Sequence, residues 1–129
     1  MSKKLDISTI LKDFEGIPIP VSDKDATPTT LKRVLLTYCR MAGQIAGLSE
    51  ADQQTIYEVG MLVGTGNGTV SLSQAQFDAL KKMCDSGKVK VPGEGEMPLL
   101  GSEVRWQVKA LVDRAEEESP VSGINLPEN

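Results

Sequence analysis

Two cysteines are the strongest nucleophiles available to this 129-residue sequence, which contains no histidine. Cys39 and Cys84 each lie in a segment whose apolar spacing predicts a buried helix face. Without histidine the chain lacks the commonest general base and the commonest metal ligand, and a buried thiol is a poor nucleophile. We expect two free thiols. A disulfide between them is the less favoured alternative, because nothing else in the sequence indicates an oxidising compartment.

Carboxylates are the second group of residues that could do chemistry. They occur as Asp23 with Asp25, as Glu94 with Glu96, and as a run at residues 116–118. Acid–base catalysis needs two carboxyl groups in a cleft that separates their pKa values, whereas these groups fall in predicted loops or at a predicted helix end. The ligand pattern of a calcium-binding loop is also absent from the sequence. We predict no catalytic residues, no metal site and no cofactor.

A glycine-rich loop at residues 64–68 could bind an anion through consecutive backbone amides. The loop lacks the lysine and hydroxyl residue that end a phosphate-binding loop, and a predicted strand follows it instead of a helix. A plain connection is the favoured interpretation. Sequestration of a small anionic ligand at this loop is kept as an alternative function.

Four lysines, Lys81, Lys82, Lys88 and Lys90, lie close together around the predicted end of a helix. They could form a positive patch that binds nucleic acid. Lysines also favour the dipole at a helix C-terminus, and on an edge strand they prevent self-pairing. Because the chain carries a net charge of −4 and only 4% aromatic residues, we favour a solvent-exposed role and keep nucleic-acid binding as an alternative.

Trp106 is the only tryptophan, and its position predicts that it points away from the apolar face of the last helix. Packing against a neighbouring segment, such as the N-terminal hairpin, is the favoured interpretation, because monomers rarely leave large apolar patches exposed. Tryptophan is also enriched among binding hot spots. The second interpretation is therefore an interface in which Trp106, Leu99 and Val112 anchor a partner.

Size and composition predict one domain. A single core is favoured up to roughly 250 residues, and 40% apolar with 25% charged residues is typical of a globular protein. We assign residues 1–118 to the globular domain and residues 119–129, with two prolines and a glycine, to a flexible tail. Since no apolar segment has the length of a signal peptide or a membrane span, we expect a cytoplasmic protein that does not contact membranes.

The N-terminal region, residues 5–21, is open to two interpretations. A tight turn at Gly16 between two extended pieces predicts a β-hairpin, whose prolines confine the second piece to a sheet edge. Apolar residues from Ile7 to Phe14 also follow helical spacing, which predicts a short helix ending at Gly16. The hairpin is favoured.

Four helices and two short strands are predicted after this region. Apolar spacing places the helices at residues 28–46, 49–63, 74–86 and from about 98 to the acidic run at 116–118, and the strands at residues 69–72 and 88–91. The N-caps of the first three helices are predicted at Thr27, Ser49 and Ser73, and Ser73 with Gln76 fits a capping box. Residues 22–26 are predicted as a loop and residues 92–98 as irregular structure. Gly47 and Ser49 leave a short connection, so the first two helices should form an antiparallel hairpin. The predicted fold class is α+β: a small, mostly helical single domain with a central antiparallel helix hairpin and a minor β-hairpin or sheet.

Four short motifs are spread along the chain: D-F-x-G-x-P-I from residue 13, T-P-x-T-L from residue 27, V-x-L-S-x-x-Q-F from residue 70 and P-L-L from residue 98. In this order they resemble small accessory proteins encoded by tailed bacteriophages, over residues 13 to about 118. The resemblance implies a non-enzymatic protein that binds another macromolecule, and it assigns no functional residues.

These observations favour a non-catalytic protein–protein interaction factor, encoded by a phage and acting in the host cytoplasm. The expected partner is a host or virion protein, with a homodimer as a further possibility for the assembly. Nucleic-acid binding through the region from Lys81 to Lys90 and sequestration of a small anionic ligand are the two alternatives.

Overall fold

The computed structural model describes residues 2–117, of which residues 116 and 117 contribute backbone only. Within this part of the chain, short antiparallel strands alternate with four α-helices, so the fold class is α+β as predicted. In chain order the elements are β1 (Ser2–Asp6), β2 (Pro20–Ser22), β3 (Asp25–Pro28), α1 (Leu31–Arg40), α2 (Glu50–Thr65), β4 (Thr69–Ser73), α3 (Gln74–Ser86), β5 (Lys88–Val91), β6 (Gly95–Pro98), α4 (Ser102–Asp113) and β7 (Glu116–Glu117), with a 3₁₀ turn (Ala42–Gln44) between α1 and α2. The predicted tail at residues 119–129 lies outside the described residues.

The largest sheet has three antiparallel strands in the order β4, β1, β7. Its central strand β1 pairs Leu5 with Val70 and Lys3 with Leu72 of β4. Val70 and Leu72 are buried and alternate with exposed residues, as the two-residue period of a strand requires. The predicted strand at residues 69–72 is therefore confirmed, and the first residues of the chain provide its partner. Strands β2 and β3, and strands β5 and β6, form two further antiparallel pairs.

One hydrophobic core joins the helices to the three-stranded sheet. Helix α1 packs against α2, α2 against α3, and α3 against α4. Tyr38 is among the largest fully buried side chains, and burial raises the pKa of its hydroxyl to about 12. No helix within residues 2–117 combines the length and the apolar character needed to cross a membrane.

Helices α2 and α3 begin where local sequence predicts. The Ser49 hydroxyl accepts from the Asp52 amide at 3.1 Å while the Asp52 carboxylate accepts from the Ser49 amide at 3.0 Å. Ser73 and Gln76 form the same reciprocal pair, the predicted capping box. Such pairs satisfy backbone donors that a helix start leaves unbonded, so the local sequence is sufficient to place these boundaries.

Helix α1 is shorter than the predicted helix at residues 28–46. Its N-cap is Thr30 and not Thr27, because Pro28 pairs with Pro20 in the β2–β3 ladder. The predicted loop at residues 22–26 was therefore also wrong in part, since its two ends belong to these strands. A residue before proline favours extended backbone, which suits Thr27 to a strand. At the other end, Ile45 leaves the helical path and bridges to Val89 of β5. Tertiary pairing at both ends thus overrides the helical spacing.

The segment at residues 92–98, predicted as irregular, contains strand β6. Gly93 and Gly95 both have positive φ, which allows the tight turn that returns the chain against β5. Because Pro98 ends that strand, α4 starts at Ser102 and not at Pro98.

The acidic run predicted at the end of the last helix lies beyond it. Helix α4 ends at Asp113, and Glu116–Glu117 forms the edge strand β7, in register with Lys4 and Lys3 of β1. The predicted helix was too long, because Glu116–Glu117 pairs with β1 as a strand, and the sequence pattern does not reveal that pairing.

The N-terminal region contains the predicted tight turn. Gly16 has a φ of 82°, and the Asp13 amide donates to the Ile17 carbonyl at 2.9 Å. The pieces on either side of the turn bridge to each other only at Lys12 and Pro18, so they do not form the ladder of a full hairpin, and the second piece continues into β2. The alternative helix at residues 7–14 is not formed.

Candidate interaction site

The two thiols are free, and the fold buries them to different degrees. Cys84 is buried in α3, and Cys39 is half-buried on α1. Burial raises the pKa of Cys39 to about 11, and it raises the pKa of Cys84 still further above its ordinary value. Both groups therefore remain protonated at neutral pH, where the thiolate is the reactive form.

The two carboxylate pairs that the sequence singled out lie on the exterior. Asp23, Asp25, Glu94 and Glu96 are all exposed, in the turns and edges of the two hairpins. Hydrogen bonds from Thr27 lower the pKa of Asp25. Among the described side chains, no three residues of the metal-ligating types His, Cys, Asp and Glu gather into a cluster.

The glycines of the loop at residues 64–68 have individual structural explanations. Gly64 belongs to α2, and Gly66 caps that helix. A Cβ atom on Gly66 would lie 2.5 Å from Val70 Cγ1, so the close packing of β4 on the helix end requires glycine. Gly68 has a positive φ, and the Gly66 carbonyl accepts from Lys32 Nζ at 3.0 Å. These features account for the glycine spacing without an anion.

The four lysines of the predicted patch do not form one field of free positive charge. Lys81 Nζ lies 2.6 Å from an Asp113 carboxylate oxygen, and Lys82 Nζ lies 2.8 Å from an Asp52 oxygen. Lys88 and Lys90 are exposed on β5. Two of the four charges are thus already paired within the chain.

Trp106 is half exposed and lies beside the turn of the N-terminal region. Its side chain is 52% exposed, and that of Phe14 is 83% exposed. Both line a depression of about 450 Å³ together with Lys12, Asp13, Ser102, Glu103 and Gln107. We call this set of residues the Trp106 surface. Two of the chain's few aromatic residues are thereby presented next to each other.

Hydrogen bonds hold the turn onto α4 at this surface. The Phe14 amide donates to Glu103 Oε2 at 2.7 Å. Gln107 accepts from the Lys12 amide at 3.0 Å through Oε1 and donates to the Lys12 carbonyl at 2.7 Å through Nε2. Because three bonds to two residues of α4 fix the backbone, Phe14 is presented at a defined position although its side chain makes few contacts.

Arg105 supports the Trp106 ring from the adjacent position on α4. Its guanidinium carbon lies 4.5 Å from the ring centroid, a distance suited to a cation–π interaction. The Arg105 Nη2 atom also donates to the Ser86 carbonyl at 3.3 Å. The ring is therefore positioned by its own helix and by the end of α3.

The other two predicted interface residues lie elsewhere. Val112 is fully buried, so it offers no surface to a partner. Leu99 is half-buried against the core, and its amide donates to the Gly87 carbonyl at 2.9 Å. Of the predicted set, Trp106 alone is widely exposed. Sequence analysis missed Phe14 as its neighbour, although an aromatic residue in a polar turn is itself a signal of exposure.

Comparisons with known proteins give no relatives for this chain: no family model matches it, and no curated protein and no solved structure matches it.

Proposed function

We propose that this protein is a non-catalytic interaction factor that binds another protein through the Trp106 surface. The observation that carries the proposal is the pair of exposed aromatic side chains, Phe14 and Trp106, on a backbone fixed by hydrogen bonds to α4. Tryptophan at the centre of an interface often dominates its binding energy, and a fixed surface loses little conformational freedom on binding. A partner with a complementary apolar pocket would bury both rings.

The chemistry of the remaining groups supports a binding role over catalysis. Both thiols are held in the protonated form by burial, and the carboxylate pairs lie in exposed hairpins where solvent screens them. The resemblance to accessory proteins of tailed bacteriophages is part of this proposal. It suggests a host or virion protein as the partner and the host cytoplasm as the place of action.

Protein binding is favoured over nucleic-acid binding because two lysines of the predicted positive patch are already paired with carboxylates. Lys81 and Lys82 form ion pairs with carboxylates of the same chain, and these neighbouring negative charges weaken the attraction of the two lysines for a phosphate. Homodimerisation through the Trp106 surface is a special case of the proposal.

The test compares three forms of the full chain as baits in lysate capture: the natural sequence, the double variant Phe14→Ser with Trp106→Ala, and the control Met97→Ala. Met97 is also exposed, but it lies on β6 and is not among the residues of the Trp106 surface. A specific partner should be retained by the natural sequence and the control, and lost by the double variant. Loss of a hot-spot side chain costs at least about 2 kcal/mol, or roughly 30-fold in affinity.

Fluorescence then checks the contact directly, because the single tryptophan reports only on this surface. Titration with the purified partner should shift the emission of Trp106 to shorter wavelength as its exposed half is buried. Equal capture by all three baits, or binding without a change in emission, contradicts the proposal. Sedimentation of the protein alone measures self-association and identifies the homodimer case.

A further inference from the structure

A second apolar depression lies between α1 and α2, remote in sequence from the Trp106 surface. It has a volume of about 400 Å³ and is lined by Leu36, Cys39, Arg40, Tyr57, Gly60, Met61 and Gly64. We call it the α1–α2 groove. Its residues on α2 recur at helical spacing along one side of that helix. A different side enters the core through Ile56, Val59 and Val63.

The groove exposes large apolar side chains. Tyr57 is 69% exposed and Met61 is 52% exposed, while Leu36 and Cys39 are half-buried at its base. Exposed apolar side chains that lie together in this way offer a surface that a partner can cover. Methionine suits a binding surface because its unbranched, polarisable side chain adapts to different partners.

Two glycines create the depth of the groove. A Cβ atom on Gly60 would lie 3.4 Å from Cys39 Cβ, and one on Gly64 would lie 3.6 Å from Leu36 Cδ2, both ordinary contact distances. Side chains would therefore fit at these positions, but they would fill the space between the helices. Glycine in a helix costs stability relative to alanine, and here it leaves open a site that a larger residue would close.

The rim of the groove is positively charged in an otherwise acidic protein. A neighbouring depression of about 510 Å³ shares Leu36 and Arg40 with the groove and adds Lys32 and Arg33. Among the described side chains no carboxylate lines either depression, although acidic residues outnumber basic ones by 18 to 14 in the chain. Lys32 is engaged with the Gly66 carbonyl, whereas Arg33 and Arg40 are exposed, and Arg33 also interacts electrostatically with the Asp25 carboxylate.

The spacing of the two arginines matches a helical ligand. Arg33 and Arg40 are seven residues apart on α1, which places them on one face at about 10.5 Å along the axis. Carboxylates two turns apart on a partner helix have the same separation. A helix laid between α1 and α2 would put its apolar side chains on Tyr57 and Met61 and its acidic flank on the arginines.

We propose that the α1–α2 groove binds an acidic amphipathic helix of a partner protein, with apolar side chains in the groove and carboxylates paired with Arg33 and Arg40. The charge of the rim selects this occupant. Nucleic acid could pair with the arginines but would leave the apolar floor of the groove without a complementary surface. The proposal uses no residue of the Trp106 surface, so either site can fail without the other.

The test uses a ribosome-displayed library of 16-residue helical peptides. Apolar residues are fixed at i, i+3, i+4 and i+7, and the flanking positions vary among glutamate, lysine and glutamine. Selection against the full chain should enrich glutamate over lysine on one flank. The best peptide should bind at least tenfold more weakly to the double variant Arg33→Glu with Arg40→Glu, and a lysine version of that peptide should recover binding to this variant.

Two further variants separate the groove from general charge effects. Lys88→Glu with Lys90→Glu makes the same change in net charge on β5 and should leave peptide affinity within about twofold. Gly64→Leu fills the groove and should abolish binding, while circular dichroism confirms that the variant is folded. Covalent labelling of Cys39 should slow when the peptide is bound.

The following results overturn the proposal. The library yields no binder, or its binders show no preference for glutamate, or they bind the Gly64→Leu variant as tightly as the natural chain. If a single-stranded oligonucleotide binds more tightly than the best peptide, and the double arginine variant no longer binds it, the rim is assigned to nucleic acid instead. Self-association that the arginine variant abolishes assigns the groove to a second copy.

Discussion

Replacement of Gly66 by alanine should destabilise the fold through a steric clash at the junction of α2 and β4. The added Cβ would lie 2.5 Å from Val70 Cγ1 and 2.8 Å from the Leu62 carbonyl oxygen, about 1 Å and 0.6 Å inside ordinary contact distance. Neither neighbour moves freely, because Val70 pairs with Leu5 in the sheet and the Leu62 carbonyl belongs to α2. Gly66 has a φ of −89°, so the backbone angle itself adds no strain.

The cost of overpacking at such a site is about 1–3 kcal/mol. For a domain of this size, each kcal/mol lowers the melting temperature by roughly 4 °C, so Gly66→Ala should melt about 4–12 °C below the natural protein. Calorimetry measures the melting temperature, and urea unfolding measures the free energy. A shift of the backbone at residue 66 would also weaken the hydrogen bond from Lys32 Nζ to the carbonyl of that residue, which would add to the loss of stability.

Gly60→Ala is the matched control, because it adds the same methyl group six residues earlier, inside the helix that Gly66 caps. Its Cβ would meet Cys39 Cβ at 3.4 Å without a clash. Alanine in a helix interior is favoured over glycine by up to about 1 kcal/mol, so this variant should be as stable as the natural protein or more stable. If Gly66→Ala is as stable as Gly60→Ala, the packing of β4 on the end of α2 is not what requires glycine at residue 66.

Three further predictions concern ionisation, thiol access and helix capping. The hydrogen bond from Lys81 is the main cause that lowers the pKa of Asp113 below its ordinary value of 3.8, so the pair stabilises the fold above that pH and this stabilisation is lost as the pH falls through the lower folded-state pKa. In urea unfolding, Asp113→Asn should therefore lose less stability between pH 5 and acid than the natural protein, and an unchanged pH profile contradicts this. Cys39 should react with Ellman's reagent before Cys84, which should become reactive only at the rate of unfolding; prompt labelling of both thiols refutes the burial of Cys84. Ser73→Ala removes the hydroxyl that accepts from the first turn of α3 and should cost about 1 kcal/mol in thermal unfolding, whereas Ser71→Ala, on the same strand, should cost little.

Helix starts were predictable where the sequence itself supplies the bonding partner. The caps of α2 and α3 need only residues three positions apart, and both are present as predicted. Helix α1 begins three residues later than its local sequence predicts. Its predicted start at Thr27 and Pro28 satisfies the same local rules, but the amide of Thr29 donates to the Ile19 carbonyl at 2.8 Å and keeps the segment extended. Thr30 can then cap the helix instead.

The candidate sites depended still more on tertiary structure. The sequence identified Trp106 as a possible anchor, but its neighbour Phe14 comes from the opposite end of the chain, and only the hydrogen bonds to α4 bring the two rings together. Val112 was predicted to lie beside Trp106 at the interface but is fully buried, because it belongs to the apolar face of α4 that the core covers. The α1–α2 groove gave no motif at all, since a groove is a property of two packed helices.

The sequence by itself determined the α+β class, the starts of α2 and α3 and the buried alternation of β4, because each follows from interactions within a few residues along the chain. Tertiary structure alone decided the extent of α1, the strand at Glu116–Glu117 and the surfaces left exposed. Each of these depends on which distant backbone groups and apolar faces meet, and a periodic pattern carries no information about the partner that will cover it.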